Sequence, residues 1–287
     1  MRIAILGATS QISKNLVLSF AAHSDHEVVL FARRTDVVKQ WLVGVGINKS
    51  YSVAGFASFK QTQHFDAIIN FVGVGNPAQT VAMGASIFDV TLEYDELALA
   101  YLKYHPNCRY IFLSSGATYG GNFDEPVNEN TKAMFAINNL QPQDWYAVAK
   151  LHAECRHRAL PHLAIFDIRV FNYFSRTQDM SARFLITDIW RSIRKEKVLK
   201  ISPDYIARDF LHPSDFYKLI KALLSAPANN AVIDAYSRAH IDKPTLLEAM
   251  KQNFGLRFEV SKDSVSVNAT GIKPYYYSLN RKAENFG

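Results

Sequence analysis

Tyr146 and Lys150 stand at positions i and i+4 of the run Tyr146-Ala147-Val148-Ala149-Lys150, so on a helix a phenol and an ammonium share one face. A phenol of ordinary pKa, about 10, is a poor base at neutral pH. A neighbouring ammonium favours the phenolate and brings the group toward the range where it can exchange a proton with an alcohol or ketone during hydride transfer. Upstream, Phe112-Leu113-Ser114-Ser115-Gly116-Ala117-Thr118-Tyr119-Gly120 carries a pair of hydroxyls out of an apolar run. If that run is a parallel strand, the pair leaves its carboxyl end, the edge at which open α/β sheets bind ligands.

A second group of residues suits an anion. Gly7-Ala8-Thr9-Ser10-Gln11-Ile12-Ser13 follows the first apolar run, where a glycine turn and a helix N-terminus can meet a pyrophosphate. Only Gly7 of the usual glycines is present. Ser10 and Ser13 stand at the second and third glycine positions, and Ser10 is placed to offer its hydroxyl to phosphate. Without other motifs the same residues describe a strand-to-helix turn capped by Ser10. The second apolar run ends Phe31-Ala32-Arg33-Arg34. An acid near this point holds the ribose 2′-OH of NAD, whereas arginine, always charged and able to grip phosphate through two bonds, suits the 2′-phosphate of NADP. The pair favours NADPH, and Asp36 keeps NAD open.

The elements that must hold these groups follow from the apolar pattern. Residues 2–6, 27–31, 66–71, 109–113 and 163–170 read as buried parallel strands, nearly continuous in Val, Ile and Phe, with a weaker strand at 52–59. Residues 11–22, 79–104 and 146–160 read as helices between them, giving a βαβ order. The expected fold is α/β: a Rossmann-type doubly wound parallel sheet with a smaller C-terminal substrate-binding lobe. Residues 1–165 form the dinucleotide-binding domain. Residues 166–287 form mainly the substrate lobe, with helices at 179–195, 213–224 and 244–254, an extended piece at 208–211, a strand at 231–236, and one or two elements returning to the main sheet. The Asn-, Gln- and Pro-rich segment 120–144 reads as a loop over the cleft.

Composition bounds the function. The 287 residues are 48% apolar and 20% charged, which excludes disorder, collagen and a disulfide scaffold and allows one or two domains. The net charge of +6 is scattered rather than blocked, which suits anionic small molecules and argues against nucleic acid as partner. Cys108 and Cys155 form no C-x-x-C pair, and no Cys/His group has zinc-site spacing, so no metal and a reducing, cytoplasmic compartment are expected. The opening apolar run meets Gly7 at once, too short for a signal peptide or a spanning helix, and no later run is long enough to span, so no membrane partner is expected.

Together these motifs resemble the short-chain dehydrogenase/reductase superfamily, and most closely its extended branch, the NAD(P)-dependent nucleotide-sugar epimerases, dehydratases and reductases. The resemblance covers residues 2 to about 215. It rests on the Gly7 turn, Asn70-Phe71-Val72-Gly73, Ser114-Ser115 with Tyr119-Gly120, the Tyr146/Lys150 pair, Arg169-Val170-Phe171-Asn172, and Arg208-Asp209-Phe210-Leu211-His212 with Asp215. It implies that Tyr146 is the general acid/base, that Lys150 holds the nicotinamide ribose while lowering the Tyr146 pKa, and that Ser115 bonds the reacting oxygen, with Ser114 as the fallback. It further places Gly7, Thr9, Ser10, Gln11, Ile12, Arg33, Arg34, Phe71, Val72 and Gly73 against the cofactor. Asn172 would meet the diphosphate of a nucleotide sugar and Arg208 its phosphate or ribose. Alternatively, Asn172 pins a loop and Arg208 pairs with Asp209 or Asp215.

The chain also departs from some relatives. Sugar-nucleotide 4,6-dehydratases resemble a pattern with an Asp-Glu pair after the strand-five hydroxyl, where this chain has Gly116-Ala117, and the cysteine of 3,5-epimerase/reductases is missing from that turn. Two reactions remain: reduction of a 4-keto sugar with NADPH, which Arg33 and Arg34 favour, and C4 epimerisation with retained NAD. A non-catalytic dinucleotide-binding sensor is a third reading, supported by the lost glycines and opposed by the retained Ser115, Tyr146 and Lys150. His152 and His157 read as surface or packing residues, and Tyr275-Tyr276-Tyr277 as packing rather than a stacking platform. The Trp145/Tyr146 helix, by resemblance, is a two-fold interface of a homodimer.

Overall fold

The computed structural model describes residues 1–47, 51–74, 80, 82–121, 123–261 and 273–286. Its first strands are the apolar runs themselves. β1 (Arg2–Leu6), β2 (Glu27–Phe31), β4 (Ala67–Asn70) and β5 (Arg109–Ser115) are almost wholly buried, as strands covered on both faces must be. With β3 (Ser52–Ala54), β6 (Ile165–Val170) and β11 (Asn230–Ala235) they form a seven-stranded sheet in the order β3-β2-β1-β4-β5-β6-β11, every pairing parallel. This is the Rossmann-type α/β architecture expected.

The strand order reverses between β1 and β4, where Leu6 lies opposite Asn70, and a crevice opens beyond such a point. Gly7 is required here. It has φ +83, and a Cβ would come within 2.9 Å of the Phe71 and Val72 backbone. The turn that leaves β1 therefore passes directly over the end of β4.

Helices cover both faces. α1 (Gln11–His23), α2 (Thr35–Gly44) and α6 (Pro213–Ser225) bury Leu16, Val17, Phe20, Val38, Phe216, Ile220 and Leu223 on one side. α3 (Ser86–Leu102) and α4 (Pro142–Arg158) bury Ala98, Leu99, Tyr101 and Ala153 on the other. α2 does not show in the apolar pattern because Val38 is its one buried residue. α3 starts later than its pattern suggests, after Gly84 at φ +54, and residues 79 and 81 of that reading lie outside the described residues. α4 starts earlier, because Pro142 suits the first helical position and the Asp144 carboxylate accepts the Gln141 N–H at 2.9 Å.

The C-terminal third builds small sheets beside the main one. β7 (Asn172–Tyr173) pairs with β10 (Phe210–Leu211), while β9 (Ala207–Arg208) lies between β12 (Ile241–Asp242) and β14 (Tyr275–Tyr276). The single extended piece expected at 208–211 is thus two strands, divided at Asp209, whose carboxylate accepts the Ser237 N–H at 2.9 and 3.0 Å. α5 (Leu185–Arg194), α7 (Lys243–Phe254) and the paired strands β8 (Leu199–Ile201) and β13 (Phe258–Val260) enclose a satellite core of Ile189, Leu199, Ile201, Leu247 and Leu256. α5 is shorter than its pattern, starting where the Phe184 N–H donates to Thr187 Oγ1 at 3.0 Å.

Candidate active site at the carboxyl edge of the sheet

β5 ends in two serines, and strand alternation sends them to opposite faces. Ser114 is 3% exposed and donates to Glu154 Oε1 at 2.5 Å. Glu154 is held by Arg169 Nε at 3.0 Å. Arg169 Nη1 lies 3.7 Å from Asp234, which accepts from Tyr119 at 2.8 Å and from Ser278 at 2.6 Å. Ser114 therefore belongs to a buried network under α4 rather than to the cleft. Ser115 faces the other way: its Oγ accepts the Ala117 N–H at 3.2 Å, lies 3.4 Å from the Tyr276 hydroxyl, and is near enough to Tyr146 to bear on its phenol.

α4 sets Lys150 one turn beyond Tyr146. The Lys150 ammonium is buried, donates to the Leu113 carbonyl at 2.8 Å, reaches the Val72 carbonyl at 3.5 Å, and sits 4.2 Å over the Phe112 ring. Gly73, at φ +151, leaves it room, because a Cβ there would lie 3.2 Å from the ammonium. Burial brings Lys150 down to about 8, against the opposing charges of Asp95, Asp167 and Glu154. Burial pushes the half-buried Tyr146 phenol up, and the Ser115 bond works against that shift. The lowering of Tyr146 expected from Lys150 is thus not seen: the ammonium spends its hydrogen bonds on strand-end carbonyls.

The turn after β1 is tied down by Phe31, whose carbonyl accepts the Gly7 and Ala8 N–H groups at 3.0 and 3.1 Å. Ser10 caps α1 by position without a side-chain bond, and the first turn holds no acid, so among the described residues its N–H groups have no side-chain partner. Ser13 is buried, its hydroxyl without a partner among the described residues. Thr9 and Ile12 are half-buried, and the Gln11 amide reaches away to Ser175 Oγ at 2.9 Å and Gln178 Oε1 at 2.8 Å. Across the crevice Phe71 is buried and the Val72 N–H donates to Asn70 Oδ1 at 2.9 Å. Arg33 and Arg34 are both exposed beyond β2.

Residues 3–237 match the family model described as the NAD dependent epimerase/dehydratase family. The chain belongs to that family. Among solved structures it is similar to UDP-N-acetylglucosamine 4-epimerase from Methanobrevibacter ruminantium M1, with a TM-score of 0.79 and 16% identity over 100% of this chain and 91% of the other. It is similar also to dTDP-glucose 4,6-dehydratase from Bacillus anthracis str. Ames in complex with NAD, with a TM-score of 0.77 and 17% identity over 99% and 89%. RMD from Pseudomonas aeruginosa complexed with NADPH gives a TM-score of 0.72 and 19% identity over 99% and 92%. A search of curated proteins finds no match.

In this epimerase/dehydratase chain the C-terminal segment brings Tyr276 beside Ser115. Asn172 donates to the carbonyls of Asp209 at 3.1 Å and Tyr276 at 3.4 Å, so it ties β7 to β14 and to the junction of β9 and β10. Among the described residues Arg208 pairs with no carboxylate. It donates to the carbonyls of Ala207 at 2.8 Å and Lys273 at 2.7 Å, lies 5.8 Å from the Tyr276 ring, and is brought down to about 10 by burial. Lys273, 5.1 Å from the rings of both Phe123 and Tyr276, is brought down to about 8 by burial and by Arg208.

Sequence reasoning missed two features. Tyr276 was read as packing, yet its hydroxyl stands beside Ser115, and burial pushes that phenol up. His157 is fully buried between two carboxylates, with Nδ1 2.6 Å from Asp167 and Nε2 2.7 Å from Asp95. Burial alone would lower the imidazole, but the bonds and charges of Asp167 and Asp95 outweigh it and hold His157 up at about 9. Neither was visible in spacing, because the partners lie on other elements. Among the described residues no group of three or more His, Cys, Asp or Glu is placed to hold a metal, and no helix is long and apolar enough to cross a membrane.

Proposed function

We propose that this protein is an NADPH-dependent reductase of a keto group on a nucleotide-activated sugar. The observation that carries the reading is the joint placement of Ser115, Tyr146 and Lys150 at the carboxyl edge of β5, across the crevice from a helix N-terminus and an arginine pair. The residues present fit a dinucleotide: Gly7 clears the crevice, the first turn of α1 is open to an anion, and Arg33 and Arg34 lie exposed just beyond β2. Bound there, the cofactor supplies the hydride.

The chain's own groups do the rest. Ser115 already accepts from the Ala117 N–H, which leaves its own O–H to donate to a carbonyl oxygen placed between it and Tyr146. Tyr146 delivers a proton to that oxygen as it gains charge, and the Lys150 ammonium, fixed on the Leu113 carbonyl, would hold the nicotinamide ribose. Residues 1–165 hold the cofactor, and 166–287 choose the sugar nucleotide through Asn172, Arg208 and the strands they pin. The UDP-sugars of the epimerase structures and the NADPH of the RMD structure support this ligand pair. We assign the protein to the cytoplasm as a homodimer through the face of α4 that carries Trp145.

Asp36, in the first turn of α2 next to Arg34, favours a second reading, a C4 epimerase that retains NAD. Calorimetric titration of the purified protein with NADPH and NADH, after assay for co-purified dinucleotide, separates the two. Tighter binding of NADPH supports the reductase, while tightly retained NAD replaces it with the epimerase.

A further inference from the structure

We propose that Tyr276, carried in by the C-terminal segment, is a positioning residue for the reaction: its hydroxyl fills the second acceptor site of Ser115 and so commits the serine proton to the reacting carbonyl. The inference deepens the reading above and rests on it. A serine hydroxyl has one proton to give and two lone pairs that accept. The Ala117 N–H occupies one lone pair of Ser115 Oγ at 3.2 Å, and the Tyr276 Oη stands 3.4 Å from the same oxygen. With both lone pairs taken, the capacity left to Ser115 is donation, which an oxygen gaining charge requires.

The direction of the contact follows from the groups. A phenol is a far stronger acid than an aliphatic alcohol, so between two hydroxyls it is the better donor and the serine the better acceptor. Burial pushes the Tyr276 phenol up, so it keeps its proton across the neutral range. A chain from the Tyr276 O–H to the Ser115 O–H to the carbonyl oxygen polarises in one sense, each link strengthening the next. At 3.4 Å the contact is long for two hydroxyls, and such contacts tighten when a ligand is seated.

The fold holds the tyrosine in place. β14 sets Tyr276 opposite Arg208 of β9, and the Asn172 amide donates to its carbonyl at 3.4 Å. Its ring packs on Phe123 and Phe171, with centroids 4.8 and 5.2 Å apart. A Cβ on Gly116 would strike the Phe171 ring, so the turn that follows Ser115 is shaped to the same aromatic cluster. The strands that carry Asn172 and Arg208 are thereby joined to the hydroxyl that sets Ser115.

The test is a double-mutant cycle on the full-length protein, comparing wild type, Tyr276→Phe, Ser115→Ala and the double variant. NADPH oxidation is followed with a panel of keto-sugar nucleotides, with thermal melting and NADPH calorimetry alongside. Tyr276→Phe keeps the ring in its cluster and removes the hydroxyl alone. It is expected to lower kcat about fivefold, the effect of one lost neutral hydrogen bond, with KM and NADPH affinity within about twofold. In the Ser115→Ala background the same change should alter kcat by less than about twofold, because the group it acts through is gone. The inference is overturned if Tyr276→Phe keeps the wild-type kcat, or if its loss persists undiminished in Ser115→Ala, as a tyrosine that serves packing alone would give. A wild-type protein that oxidises NADPH with no member of the panel would instead remove the reductase reading, and the assignment of Tyr276 with it.

Discussion

α4 carries two polar clusters that use similar groups for opposite ends. Toward its start, Tyr146 and Lys150 approach Ser115 at the sheet edge, where Ser115 accepts a backbone N–H and Lys150 donates to backbone carbonyls. Toward its end, Glu154 and His157 are enclosed: Glu154 is bonded by Ser114 and Arg169, and His157 is clamped by Asp95 and Asp167, which also pair with Arg156 and Arg158. A buried network whose members are satisfied fixes geometry, while one left partly unsatisfied beside a crevice is available to a ligand. The enclosed cluster holds α4 against β5 and β6, and the open one works at the edge that this rigidity defines.

The comparison can be broken by exchanging the expected losses. Tyr146→Phe should lower turnover by about 10²- to 10⁴-fold while NADPH affinity and unfolding midpoint stay close to wild type, measured by steady-state kinetics, calorimetry and thermal melting. His157→Leu should instead cost about 3–5 kcal/mol of stability in urea unfolding, because Asp95 and Asp167 lose the buried cation between them. The same cluster sets a pH window. The folded His157 pKa is raised from 6.5 to about 9, so its stabilisation is whole below pH 6.5 and is lost as pH rises through about 9, which urea midpoints across that range will follow.

The paired serines sharpen it further. Ser115→Ala should lower turnover by about 10- to 100-fold at little cost in stability, whereas Ser114→Ala should lower stability by about 1–3 kcal/mol by leaving Glu154 short of a donor. Lys150 gives the smallest effect. Held at about 8, its ammonium discharges as pH rises through that value, so turnover should decline above pH 8, measured as a pH–rate profile.

What could be read in the sequence follows the same division. The sheet was legible because strands covered on both faces are continuous apolar runs, and Tyr146 with Lys150 because i, i+4 spacing is local. α2 escaped notice because it buries only Val38, and the start of α4 because Gln141 and Pro142 look like loop until Asp144 caps them. The position of Tyr276 against Ser115 and the clamp on His157 are products of topology. No spacing along the chain encodes them.

The central claim is tested most directly by mixing the purified protein with NADPH and a panel of keto-sugar nucleotides and following loss of the reduced nicotinamide absorbance. Oxidation is expected to require a sugar nucleotide, to be absent with NADPH alone, and to be lost in Tyr146→Phe. NADPH that binds and is never oxidised by any member of the panel, or oxidation that survives in Tyr146→Phe, would contradict it.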